Sequence, residues 1–155
     1  MSMRTRVLFI CIHNSARSQM AEALLRRRCG DSVHVESAGL TPGILNPLAV
    51  EVLKEVGIDI TGKATRDVFE VYRSGAHFTH VITVCDEASA ERCPVFAGFH
   101  EKLHWSLADP STFTGSHEEK LEATREVLHQ LELKISNWCE INCDLSTQQI
   151  QAQEA

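Results

Sequence analysis

The chain of 155 residues has few aromatic side chains, with a single Tyr and two Trp, and no long hydrophobic run. Its longest apolar stretches, such as Val7 to Ile12, fall far short of the roughly 20 residues that cross a bilayer, so no membrane-spanning segment is expected. The same stretch is about half the length of a signal-peptide core, and no cleavage site follows it, so the expected location is the cytoplasm. Basic clusters are absent apart from Arg26-Arg27-Arg28, and the net charge is −6, which argues against a nucleic-acid partner. Those arginines close a predicted helix, where positive charge suits the dipole. There is no Walker loop, no His-Glu-x-x-His and no Cys-x-x-Cys. Cys139 and Cys143, like His100 and His104, are four apart, but neither pair has a second ligand pair nearby in sequence, so no metal is expected.

What is present is an ordinary globular composition, 43% hydrophobic, sufficient for one buried core. Residues 1–143 are expected to form a single catalytic domain, and residues 144–155 a polar, Gln-rich tail. Six cysteines in a chain of cytoplasmic character are thiols rather than a disulfide framework. The question is which of them do chemistry.

One stretch answers for Cys11. Val7 to Ile10 reads as a buried strand, a polar turn follows, and Met20, Ala21, Leu24 and Leu25 have helical spacing up to Gly30. Cys11 therefore opens a strand-to-helix loop that Arg17 and Ser18 close. Such a loop turns successive backbone N–H groups into one concavity, and the helix N-terminus adds partial positive charge. Arg17 offers a planar fork for two oxygens of a tetrahedral anion. Residues Ile12, His13, Asn14, Ser15, Ala16, Arg17 and Ser18 form the candidate oxyanion cradle, with the Cys11 thiolate as nucleophile beneath it.

Further along, His34 to Ala38 reads as a second strand and Asn46-Pro47 as a helix start running to Gly57. Thr65-Arg66-Asp67 opens a short helix, and His80 to Cys85 is a third strand. Asp86 to Arg92 has helix-forming composition ended by Cys93-Pro94. If it is helical, Cys85 and Cys93 stand about 12 Å apart and pair only when it unwinds. Leu103 to Leu107 is a fourth strand, Asp109-Pro110 follows it, and Ser116 to Glu119 is a capping box before a last helix. Helices alternating with short strands give an α/β, three-layer fold with a four-stranded parallel sheet. Its chemistry sits at the carboxyl ends of the strands, where Cys11, Cys85 and Asp109 all fall. Cys29, outside the loop, reads as structural.

The Cys11 to Ser18 stretch resembles the phosphate-binding loop of low-molecular-weight protein tyrosine phosphatases and of arsenate reductases sharing their fold. The phosphatase resemblance implies a phosphocysteine at Cys11 and a proton from Asp109. Such enzymes usually carry Tyr after Asp-Pro, whereas this chain has Ser111. The chain is more similar to the thioredoxin-coupled arsenate reductases, in Asn14 to Glu22, in Val-Ile-Thr-Val-Cys85-Asp, in Arg-Cys93-Pro-Val and in His104-Trp105-Ser106. That resemblance implies arsenate as substrate, with phosphate or sulfate as mimics, and a Cys11, Cys85, Cys93 relay assisted by Arg17 and Asp109. It implies a monomer with no tightly bound cofactor and thioredoxin, or else glutaredoxin or a small thiol, as reductant. Some relatives hold a potassium ion at positions matching Asn14, Glu22, Ser37 and, loosely, Asp67. Tyrosine phosphatase is the alternative activity, and an oxyanion-binding redox sensor the non-enzymatic one.

Overall fold

The computed structural model describes residues 5–85, 91–94, 96 and 100–142. Its centre is β1 (Thr5–Cys11), whose last five residues are all buried. A strand with both faces covered needs apolar side chains on both, which is why Val7 to Ile10 is a continuous run rather than an alternation. With β2 (Val33–Gly39), β3 (His80–Thr83) and β4 (Glu101–His104) it forms a parallel sheet of order β2-β1-β3-β4.

Alternate residues of β1 face opposite layers. Val7, Phe9 and Cys11 pack against α1 (Arg17–Cys29), α2 (Pro47–Glu55) and α4 (His117–Asn142), through Met20, Leu25, Val52, Leu53 and Leu131. Leu8 and Ile10 face the other way, onto α3 (Val68–Arg73), Phe78 and Phe96. The sheet is thus a filling between helical layers, as expected for an α/β three-layer fold. The predicted helix starts are built as the local chemistry requires. Asn46 accepts from the Leu48 N–H and Pro47 follows it. The Ser116 hydroxyl and the Glu119 carboxylate cap each other's backbone N–H groups before α4.

Two strands differ from their sequence-based bounds. The third ends at Thr83, although the Val84 N–H still reaches the Ile10 carbonyl at 2.8 Å. The fourth lies at Glu101–His104 rather than Leu103 to Leu107. Its place is set by β3, since His80 pairs with Glu101 and Thr83 with His104, and the pairing ends where the Trp105 N–H reaches the Thr83 carbonyl. As the sheet's edge it is mostly exposed, so polar Glu101 and Lys102 belong to it without any apolar signature. The helix expected over Asp86 to Arg92 falls largely outside the described residues, with Glu91 and Arg92 in a turn. The expected tail and Cys143 also lie outside them.

Candidate functional site

The loop between β1 and α1 is held from outside through its carbonyls. The carbonyls of Cys11, Ile12, His13 and Ser15 accept from the N–H groups of Leu40, Thr41, Gly43 and Asn46. In a trans peptide the carbonyl and the following N–H point in opposite directions. Pinning those four carbonyls outward therefore turns the N–H groups of Ile12, His13, Asn14 and Ala16 inward. The Asn14 N–H does reach Cys11 Sγ, at 3.1 Å. The start of α1 has no side-chain cap, so its first amides are also open to an anion.

Asn14 is the keystone of this turn. It is fully buried with φ of 53°, a left-handed conformation that Asn tolerates better than most residues. Its amide nitrogen donates to Ser18 Oγ (2.7 Å) and Ser37 Oγ (3.0 Å), and its oxygen accepts from Gln19 Nε2 and the Arg66 N–H. Both atoms are satisfied by parts of the chain far apart in sequence. Ser18 Oγ, which accepts from Asn14, also lies 2.8 Å from Cys11 Sγ and shares a hydrogen bond with it. The sulfur thus lies within hydrogen-bond reach of both the Asn14 N–H and the Ser18 hydroxyl.

Arg17 opens α1 and is almost wholly buried. Its guanidinium donates to the Leu107 carbonyl at 3.2 Å and pairs with Asp109 Oδ2 at 3.3 Å. Asp109 is held by the N–H and hydroxyl of Ser111, both on Oδ1. The Ser111 that departs from the phosphatase pattern thus orients the carboxylate. His13, Ser15, Ile44 and Ser111 line an open groove beside the loop.

The structure places the predicted thiols as follows. Cys11 is buried at the end of β1, and Cys85 lies two residues past β3, the neighbouring strand, fully buried in the same apolar cluster. Cys93 is half-buried against the opposite cluster. Burial pushes its thiol up to about 11, Lys102 pulls the other way, and charge on Cys11 adds to the rise. Cys93 therefore remains protonated at neutral pH.

The residues matching a potassium site lie in a network of hydrogen bonds and ion pairs. The Asn14 oxygen accepts two N–H groups, and Asp67 caps the N-terminus of α3. Glu22, buried in α1, pairs with the Lys63 ammonium and lies 3.7 Å from Arg26. Burial, then Arg66, push that ammonium down to about 8, which still leaves it charged at neutral pH. Among the described residues no three His, Cys, Asp or Glu side chains cluster as metal ligands, and His104 is bonded instead to Thr83 Oγ1 at 2.7 Å.

Residues 6–153 match the family model described as low molecular weight phosphotyrosine protein phosphatase. The chain belongs to that family. Within it, the chain is 35% identical over 134 residues to an arsenate reductase of Halalkalibacterium halodurans, covering 86% of this chain and 94% of the relative. A solved arsenate reductase in an oxidized state superposes with a TM-score of 0.73 at 28% identity, covering 87% of this chain and 95% of that one. A thioredoxin-dependent arsenate reductase of Corynebacterium glutamicum, 34% identical, matches with a TM-score of 0.60 over 87% of this chain and 63% of its own. The family member in hand is thus of the arsenate reductase kind.

Three features of the site were not foreseen from the sequence. Gly39 lies against the loop so closely that a Cβ there would stand 2.7 Å from the Asn14 nitrogen and 2.8 Å from the His13 carbonyl carbon. Its only sequence signal was its position at a strand end. Gln19, fully buried, ties Asn14 to the Ala64 carbonyl. Cys29 is not an isolated structural thiol, because its sulfur lies 3.2 Å from that of Cys139.

Proposed function

We propose that this protein reduces arsenate to arsenite through successive thiols, with Cys11 as nucleophile and an external dithiol protein as final reductant. The observation that carries this reading is the placement of Cys85 in the buried cluster of Cys11, just past the neighbouring strand. A phosphatase has no use for a second thiol there. Arsenate sits on the inward N–H groups and the Arg17 fork, and the Cys11 thiolate attacks arsenic. One arsenate oxygen leaves as water, its proton supplied by Asp109, which borders the same guanidinium. The Cys85 thiolate then attacks the Cys11 sulfur. The sulfur–arsenic electron pair passes to arsenic, which leaves as arsenite, and a Cys11–Cys85 disulfide remains.

Cys93 completes the relay by attacking Cys85, returning Cys11 to a thiolate and leaving a Cys85–Cys93 disulfide. That transfer carries the disulfide from a fully buried site to a half-buried one, where another protein can reach it. Thioredoxin is the reductant this reading favours, in line with the Corynebacterium glutamicum relative. Residues 1–143 act as one catalytic domain and residues 144–155 as an appended tail, in a monomer working in the cytoplasm. No helix among the described residues is long and apolar enough to cross a membrane. The reading includes no potassium ion, because Lys63 already neutralises Glu22.

The test couples the enzyme to thioredoxin, thioredoxin reductase and NADPH with arsenate, beside hydrolysis of p-nitrophenyl phosphate. Cys85→Ser should abolish arsenite formation and spare any ester hydrolysis, while Cys11→Ser abolishes both. Ester hydrolysis without arsenate turnover in the native enzyme would make the protein a phosphatase.

A further inference from the structure

At the end of the molecule opposite the cradle lies a second pair of thiols that the reaction does not use. Cys29 is the last residue of α1 and Cys139 lies in the last turn of α4. Their sulfurs are 3.2 Å apart although 110 residues separate them in the chain. Arg17, at the first position of α1, is twelve residues from Cys29, about 18 Å along the helix axis. The pair is therefore too remote to exchange directly with Cys11.

We infer that Cys29 and Cys139 form a second, non-catalytic disulfide site, oxidised by low-molecular-weight disulfides such as oxidised glutathione. A disulfide needs its sulfurs at about 2.05 Å, so this contact closes by a little over one ångström, a movement that side-chain rotation can supply. Both sulfurs are carried by helices that pack on each other in the main core, so the approach is built into the fold. The two thiols differ in access. Cys29 is half-buried, whereas Cys139 is fully buried. Cys29 thus meets the oxidant and Cys139 resolves.

The Cys29 thiolate attacks one sulfur of the small disulfide, forming a mixed disulfide and releasing one thiolate. Cys139, losing its proton, attacks the Cys29 sulfur and expels the second small thiolate. Two protein thiols have given up two electrons, and the small disulfide has become two small thiols. The product ties the helix that presents Arg17 to the last helix of the chain. It closes a very long loop, the case in which a cross-link most restricts the unfolded chain. Because it forms far from the cradle, turnover with arsenate is unchanged.

The full-length protein is incubated with oxidised glutathione, alkylated, digested without reduction and mapped by mass spectrometry. A Cys29–Cys139 linked peptide is expected, together with a rise in the guanidinium unfolding midpoint over the reduced protein. Both disappear in Cys29→Ser, at the half-buried position, and in Cys139→Ala. Recovery of Cys29 alkylated or held as its glutathione adduct overturns the inference, as does Cys139 linked to Cys143. A midpoint rise that persists in Cys29→Ser overturns it equally.

Discussion

At the scale of single residues, the chemistry depends on which thiol is ionised and when. Cys11 accepts a hydrogen bond from the Asn14 N–H and shares one with the Ser18 hydroxyl, while Cys93 is held protonated by burial, with its thiol at about 11 against a usual 9.0. Two consequences follow in opposite experiments. At neutral pH its thiolate fraction is roughly a hundredfold below that of an ordinary thiol, so iodoacetamide should label Cys93 correspondingly slowly in the reduced enzyme. After arsenate has driven Cys11 and Cys85 together, in an enzyme denied reductant, Cys93 should be found in a disulfide. For stability, both states keep the proton below pH 9. Between about 9 and 11 only the unfolded chain loses it, so stability falls as pH rises through that window. Cys93→Ala should remove that part of the decline in equilibrium unfolding. Lys63 is a second such residue. Lys63→Met leaves the buried Glu22 with Arg26 at 3.7 Å as its remaining cation, at a cost of about 3 kcal/mol in urea unfolding. The matching Glu22→Gln, Lys63→Met double variant should recover much of it, since no buried charge is then stranded.

Among the elements, the loop between β1 and α1 works only because others are packed against it. Its carbonyls are fixed by the segment from Leu40 to Asn46, and its centre by β2 through Ser37 and by the Arg66 N–H. Gly39 lets β2 come close enough for this. Gly39→Ala places a methyl against loop backbone, which cannot yield as a flexible side-chain end would. Arsenate turnover should fall at least a hundredfold, with far-UV circular dichroism little changed, because the cradle's amides are displaced while the sheet persists. The capped helices are governed by nearer neighbours. Asn46 with Pro47, and Ser116 with Glu119, could be read directly, since an N-cap needs only residues two or three positions away. Asn46→Ala should cost about 1 kcal/mol by denaturant titration and leave the kinetic constants near their native values.

For the molecule as a whole, the order β2-β1-β3-β4 brings Cys11 and Cys85 onto one edge from positions 74 residues apart in sequence. The core that holds this arrangement runs through α4, where Leu131 is fully buried. Leu131→Ala should lower stability by about 3 kcal/mol without altering the kinetic constants at a temperature where the variant stays folded. From the sequence alone came β1, the helix starts and the loop that Cys11 opens. A continuous apolar run, a cap, or a cysteine opening a strand-to-helix loop is a matter of residues within one turn or strand of each other. Cys85 and Asp109 could be placed at the same edge, since each comes after a strand and parallel strands share their carboxyl ends. Relations between distant residues came from the packing of the elements. It set where the edge strand pairs, put Lys63 on Glu22, brought Gly39 against the loop and set Cys29 facing Cys139. None of these has a local signature, because each arises where packed elements meet and side-chain type alone does not specify the neighbour.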